Sequence, residues 1–288
     1  MDPIGRPKEI AVLVLVAVTM FVTGSYVGVD WASYFHPFQS RFPAVAGYAR
    51  DVLCAAIVVL IGGNRVATRD WRLLLAAFGL TMVADWFLTL NDQALPGTVI
   101  FLGVHALLIV RHAQGLRASF ARAERSRTVR LMIISALLCY GAAVALIIGV
   151  APILRRSGQF TLDSIYLLFL ATSLWMGWGT LIRRAYARLN AWFIAVGMTF
   201  FYLCDVTVGL SVAQGGTQTG RILSDLIAFS YTPALLLLAL SGIAWGPRAA
   251  AIAVSATEVG SGAAAARGVT GAGAEPRPLP SSGRAAAP

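Results

Sequence analysis

Eight long apolar stretches dominate this sequence and limit the folds that it can adopt. They lie at 10–29, 44–62, 72–90, 96–111, 129–150, 161–181, 191–213 and 222–245. A helix needs about 20 apolar residues to cross the hydrocarbon core of a bilayer, and most of these stretches are close to that length. We therefore predict an all-α integral membrane protein whose eight transmembrane helices form one bundle within residues 1–245.

Composition agrees with this prediction and separates the end of the chain from the rest. Hydrophobic residues make up 58% of the sequence and charged residues 12%, whereas an ordinary soluble domain is roughly 25% charged. A soluble domain is thereby excluded. From 246 to 288 the sequence consists mainly of Ala, Gly, Pro and Ser, with too little branched apolar surface to offset the entropy of ordering. We expect this segment to be a disordered cytoplasmic tail.

Lysines and arginines between the apolar stretches predict the orientation of the chain. If the N-terminus is cytoplasmic, most of them lie on the cytoplasmic side, including Arg111 and Arg183 at the ends of the fourth and sixth stretches. The outer side then carries only Arg41, Arg155, Arg156 and Arg221. The positive-inside rule therefore places both termini in the cytoplasm, and we expect a multi-pass protein of the plasma membrane. The first stretch is expected to be an uncleaved helix, because no small-x-small cleavage site directly ends it.

Several kinds of site find no support in the sequence. The net charge of +10 comes from short, scattered basic clusters, so it does not indicate a nucleic-acid partner. Cys54, Cys139 and Cys204 fall in different apolar stretches, without the spacing of a zinc site or a disulfide framework. No nucleophile elbow, HExxH motif or phosphate-binding glycine loop is present. We expect neither a metal nor a cofactor.

Asp85 and Asp205 are the clearest candidates for chemistry. A charge at membrane depth costs roughly 2.5–3.5 kcal/mol on insertion scales, which makes an intramembrane carboxylate a functional candidate. His105 follows Asp85 by 20 residues, and Asp225 follows Asp205 by the same interval. This correspondence suggests that helices one to four and five to eight are parallel repeats. The alternative is that these polar groups only hydrogen-bond neighbouring helices and stabilise their packing.

Two apolar stretches repeat one spacing around these groups. The fourth and seventh stretches each contain a glycine, a phenylalanine and a titratable residue at intervals of four: Gly97, Phe101 and His105, and Gly197, Phe201 and Asp205. Residues four apart share one helix face. A glycine there allows close helix approach, so the pattern is typical of a polar pocket inside a bundle.

Other charged residues have structural alternatives. Asp225 is expected in the first turn of the eighth helix, where it could cap the helix or contact substrate, and Asp163 is expected to cap the sixth. Arg50 and Asp51 are adjacent and are not expected to face each other, so that one would line the cavity while the other reaches the interface.

Asp85 and the two patterns that end at His105 and Asp205, taken in chain order, resemble the YhhN-like family of lysoplasmalogenases. The resemblance spans 44–242 and adds two features to those above: an aromatic and Met-bearing sixth stretch, Tyr166–Met176, and a run of Tyr231-x2-Ala234-x2-Leu237. The chain departs from the family pattern at Ala84, Cys204 and Leu108, which leaves another ether, enol or epoxide lipid open as the substrate.

What the resemblance implies is an enzyme that hydrolyses the vinyl ether bond of a lysophospholipid, giving a fatty aldehyde and a glycerophospho head group. One of Asp85 and Asp205 would be the catalytic acid and the other its ionised partner, with His105 beside them; the sequence does not distinguish the two roles. The residues assigned to substrate binding are Asp225, Tyr231, Arg50, Phe101 and Phe201. The expected partners are this substrate and membrane lipids.

Two other functions are consistent with the same residues. A transporter or lipid-binding protein could use the buried acids and His105 for proton coupling. A regulatory membrane protein could recruit partners through its tail and through the basic loop around residues 117–130.

Overall fold

The structure of this protein is a computed structural model that describes residues 6–35, 42–62, 65–120, 125–157, 160–213 and 218–245. The tail predicted for 246–288 lies outside the described residues.

The described residues are almost entirely helical. The α-helices are α1 (Arg6–Phe35), α2 (Phe42–Ile61), α3 (Thr68–Asp85), α4 (Ala94–His112), α5 (Leu116–Phe120), α6 (Arg125–Ser157), α7 (Phe160–Ile182), α8 (Arg188–Ala213) and α9 (Gln218–Leu240). A π-helical turn, Trp86–Leu90, continues α3. Seven of these helices are long and apolar enough to cross a membrane, and the apolar part of α9, Asp225–Leu240, is shorter. The prediction of an all-α membrane bundle is confirmed. The positions of the termini relative to the membrane, and the four-helix repeat, stay predictions.

The packing of the helices places α4, α8 and α9 near the centre. α8 packs along α9, α3 along α4, and α4 also contacts α7, while α2 contacts both α3 and α9. α6 lies at the edge, where its Leu137 and Leu138 side chains are 69% and 70% exposed. Large apolar side chains thus face outward, and several polar side chains face inward, including Asp85, His105 and Arg111. This distribution suits a chain whose solvent is lipid, because polar groups are stabilised inside the bundle and apolar groups in the bilayer.

Glycines allow the closest approaches between these helices. A Cβ atom on Gly97 would overlap the Leu88 side chain in the π-helical turn, and one on Gly197 would lie 3.2 Å from Cβ of Leu237 on α9. The two glycines of the repeated spacing therefore permit close packing beside the polar residues that follow them.

Substitution of Gly97 tests this packing. Gly97→Ala should lower the stability of the bundle, because the added methyl group overlaps Leu88 and overpacking costs about 1–3 kcal/mol. The measurement is the thermal unfolding midpoint in detergent. Gly141→Ala on α6 is the matched control, since a Cβ atom there meets nothing within 4 Å. Equal midpoints for the two variants would show that the contact is unimportant for stability.

Candidate active site

One half of the candidate site is built around Asp205 on α8. Its Oδ2 atom accepts a hydrogen bond of 2.6 Å from the hydroxyl group of Tyr166 on α7 and lies 3.1 Å from Nε2 of His105 on α4. The Tyr166 hydroxyl group also lies 3.4 Å from this Nε2 atom, and the two rings meet edge to face with centroids 5.6 Å apart. Three helices thus bring a carboxyl group, an imidazole and a phenol into mutual contact.

The other half is built around Asp85, the last residue of α3. Its Oδ2 atom accepts a hydrogen bond of 2.6 Å from the hydroxyl group of Tyr231 on α9. The guanidinium group of Arg50 on α2 lies over the Tyr231 ring, 4.3 Å from its centroid, in a cation–π contact. All three side chains are buried. Tyr231 therefore connects this carboxyl group to a buried cation.

Arg50 and Asp51 correct one expectation from the sequence. Nε of Arg50 lies 3.0 Å from Oδ1 of Asp51, and both side chains are buried, so neither reaches the membrane interface. The expectation that these neighbours could not meet was wrong, because the arginine side chain is long enough for its Nε atom to reach the carboxylate of the next residue. Burial favours this contact, since each charge would be costly without the other.

Phe201 connects the two halves. Its ring stacks on Tyr231 with centroids 5.7 Å apart and an interplanar angle of 14°. The centroid of the Phe201 ring also lies 5.1 Å from that of His105 and 6.2 Å from that of Phe101, and the two phenylalanine rings meet edge to face. Phe201 therefore contacts both Tyr231, which donates to Asp85, and His105, which faces Asp205, so the two carboxyl groups belong to one site.

Comparison with known proteins now identifies the family. The model of the YhhN family matches residues 49–242, which is more than half of the chain. The chain belongs to the YhhN family. No curated protein and no solved structure matches it. The matched region includes Arg50, Asp85, His105, Asp205 and Tyr231, so the site described above lies within the part of the chain that carries the YhhN match.

The site of this YhhN protein includes a change of helix type. The helix that carries Asp85 changes to π-helical geometry directly after it, over Trp86–Leu90. A π-helical turn alters the helical register and is frequent at functional sites. Here the turn places Leu88 against Gly97 near the start of α4, the helix that carries His105. Nothing in the composition of this segment indicated the turn.

Asp225 lies at a different place in its helix from the one predicted. The sequence placed it in the first turn of the eighth transmembrane helix, but α9 begins at Gln218. Asp225 is therefore in the second turn or beyond, where capping of a helix N-terminus does not apply. Its side chain is buried. Its role in substrate binding stays a prediction, whereas Asp163 does lie in the first turn of α7.

A second polar cluster occupies the end of the bundle where α2 joins α3. We call it the Asp70 cluster: Asp70, Arg111, Tyr186 and Ser241. Nε and Nη2 of Arg111 donate to the two carboxylate oxygens of Asp70 at 3.0 Å each, and Nη1 donates to Oγ of Ser241 at 3.0 Å. The hydroxyl group of Tyr186 donates to Asp70 at 2.6 Å. Burial, with the nearby Asp70 carboxylate, raises the pKa of Tyr186 well above its usual range, which keeps the phenol a hydrogen-bond donor.

The Asp70 cluster changes the interpretation of two arginines. Arg111 and Arg183 were counted as loop charges that set orientation, but they are 0% and 3% exposed. Arg183 donates from Nη2 to the backbone oxygen of His112 at 2.6 Å, at the end of α4, where a cation is favoured by the helix dipole. These side chains therefore stabilise helix ends inside the protein. The partner of Arg111 could not be recognised from the sequence, because Asp70 and Arg111 are 41 residues apart.

Proposed function

We propose that this YhhN-family protein is a membrane hydrolase that cleaves the vinyl ether bond of a lysophospholipid, releasing a fatty aldehyde and a glycerophospho head group. The observation that carries the proposal is the pair of carboxyl groups within membrane-spanning helices, Asp85, which is buried, and Asp205, whose side chain is 10% exposed. Each accepts a hydrogen bond of 2.6 Å from a tyrosine, and Phe201 links their surroundings.

The chemistry of a vinyl ether requires an acid. Protonation of its β-carbon produces an oxocarbenium ion, water adds to this cation, and the resulting hemiacetal collapses to aldehyde and alcohol. A buried carboxyl group is suited to deliver the proton, because a low dielectric favours its neutral form. A second, ionised carboxylate stabilises the cation that forms. Two carboxyl groups in different surroundings, one beside Arg50 and Asp51 and one beside His105, fit this division of roles.

Contacts around Asp85 support the assignment of a lipid substrate. The rings of Phe101, Phe201 and Tyr231 form a contiguous aromatic surface next to the two carboxyl groups. Such a surface suits the apolar chain that flanks a vinyl ether bond. Arg50 lies over one edge of it, and a guanidinium group is the side chain best suited to a phosphate. We assign Arg50 to the head-group side of the substrate, and Asp225 stays a predicted substrate-binding residue.

The test is aldehyde release by the full chain purified in detergent. Three lipids with the same head group and chain length are compared: a 1-alkenyl, a 1-alkyl and a 1-acyl lysophospholipid. We expect aldehyde from the 1-alkenyl lipid only, since an alkyl ether has no double bond to protonate and an ester yields a fatty acid.

Two outcomes would contradict the proposal. Release of fatty acid from the 1-acyl lipid would identify an esterase. No reaction of the 1-alkenyl lipid with folded, monodisperse protein would overturn vinyl ether hydrolysis and favour another lipid substrate or proton-coupled transport.

A further inference from the structure

His105 is held in one orientation, but one of its ring nitrogens has no hydrogen-bond partner in the described part of the chain. Its Nε2 atom faces Oδ2 of Asp205 at 3.1 Å, and the ring lies between Tyr166 and Phe201. Its Nδ1 atom is fully buried and has no hydrogen-bond partner among the described residues. A buried polar atom without a partner costs about 1–3 kcal/mol, so its presence in a candidate active site calls for a functional explanation.

The hydrogen bonds of Asp205 favour one tautomer of His105. Oδ2 of Asp205 accepts a hydrogen bond from Tyr166 and lies within hydrogen-bond distance of Nε2. Two donors on one carboxylate oxygen suit an ionised carboxylate, and this arrangement requires the proton of neutral His105 to be on Nε2. Nδ1 then has a free lone pair and is the basic nitrogen.

We propose that Nδ1 of His105 is the general base that activates the hydrolytic water, that Asp205 and Tyr166 position the imidazole, and that Asp85 is the proton donor. This inference rests on the proposed function and assigns the roles within it. Asp205 acts here as a positioning residue, in the way that a carboxylate fixes the tautomer and orientation of a catalytic histidine in hydrolases.

Asp85 is the carboxyl group left to donate the proton. Asp205 is engaged with His105, while Asp85 has the hydroxyl group of Tyr231 on one oxygen and Asp51 as an electrostatic neighbour. Asp51 is paired with Arg50, so it is the ionised member of the two. Two adjacent buried carboxylates repel each other, and a proton on Asp85 removes this repulsion.

The steps balance without any co-reactant. The carboxyl group of Asp85 gives its proton to the β-carbon, whose new C–H bond takes the electron pair of the double bond. The water oxygen then bonds to the oxocarbenium carbon while one water proton passes to Nδ1 of His105. In the hemiacetal, the bond from this carbon to the glycerol oxygen breaks, and the leaving oxygen takes the proton from Nδ1. The remaining hydroxyl proton returns to Asp85 as the aldehyde forms.

The decisive variant is His105→Gln. A glutamine amide reaches the position of Nε2, so it can still donate to Asp205, but it offers no base at the position of Nδ1. We expect kcat for aldehyde release to fall by about 10²-fold or more, the lower end of the usual effect of a general base, while KM stays within about threefold. A glutamine variant that keeps most of the wild-type kcat would overturn the inference, since His105 would then only hold Asp205.

A second measurement does not depend on the activity of any variant. The ¹⁵N chemical shifts of the His105 ring in the wild-type protein report which nitrogen is protonated, and His105→Gln identifies its signals among the three histidines of the chain. We expect a protonated Nε2 and an unprotonated Nδ1. A proton on Nδ1 alone would contradict the inference whatever the activity of the variant. If the wild type releases no aldehyde, the proposed function fails; if it does and either His105 result is contrary, only the roles assigned here fail.

Discussion

Replacing either Asp85 or Asp205 by asparagine should remove nearly all aldehyde release, with a fall in kcat of about 10²–10⁴-fold for each. Asp85→Asn cannot donate the proton that starts the reaction. Asp205→Asn no longer provides a carboxylate to hold the Nε2 proton of His105, so the basic nitrogen is no longer fixed at Nδ1. Both variants keep the side-chain shape and an oxygen that can accept from Tyr231 or Tyr166, and we expect both to fold.

The control for these variants is Asp92→Asn. Asp92 is exposed in the loop that follows the π-helical turn, so the same chemical change is made close to Asp85 in the chain but outside the site. Its aldehyde release should match that of the wild type. Wild-type rates from folded Asp85→Asn and Asp205→Asn would show that neither carboxyl group takes part in the reaction.

The features of this fold that could be predicted from the sequence are those that depend on residues close together in the chain. A long apolar stretch predicts a transmembrane helix because the bilayer sets its length, and a carboxylate within such a stretch is conspicuous because its burial is costly. Asp85, His105 and Asp205 stood out for this reason. Gly97 and Gly197 did so because residues spaced by four share a helix face.

The elements that were missed depend on contacts between distant parts of the chain. Tyr166 was one of several aromatic residues in its stretch, and only the packing of α7 on α4 and α8 distinguishes it. The pairing of Arg50 with Asp51 depends on burial of both side chains, which their adjacency does not reveal. Positions near helix ends are the hardest case, because an arginine there is exposed in some places and buried in others, as Arg188 and Arg111 show. Arg111 ends an apolar stretch, as the basic residues that set membrane orientation do, but its side chain is buried inside the bundle.

Substitution of Arg111 is therefore expected to have the largest effect on stability. Its guanidinium group uses three nitrogens to bind Asp70 and Ser241, which joins the start of α3 to the residue after α9. Arg111→Met should lower the free energy of unfolding by about 3–5 kcal/mol, because the substitution leaves the buried Asp70 carboxylate without its counter-charge. For a chain of this size, the corresponding decrease in Tm is roughly 10 °C.

Two further variants distinguish the loss of a charge pair from the loss of a bulky side chain. Arg188→Met removes an arginine that is exposed at the start of α8, at the same end of the bundle, and should leave Tm nearly unchanged. The double variant Asp70→Asn with Arg111→Met should recover part of the lost stability, since no charge is then left buried, and Tyr186 can still donate to the asparagine oxygen. If the double variant is instead less stable than Arg111→Met alone, the Asp70 carboxylate must be stabilised mainly by Tyr186 and by the N-terminus of α3, and the ion pair would not be the main interaction at this end of the bundle.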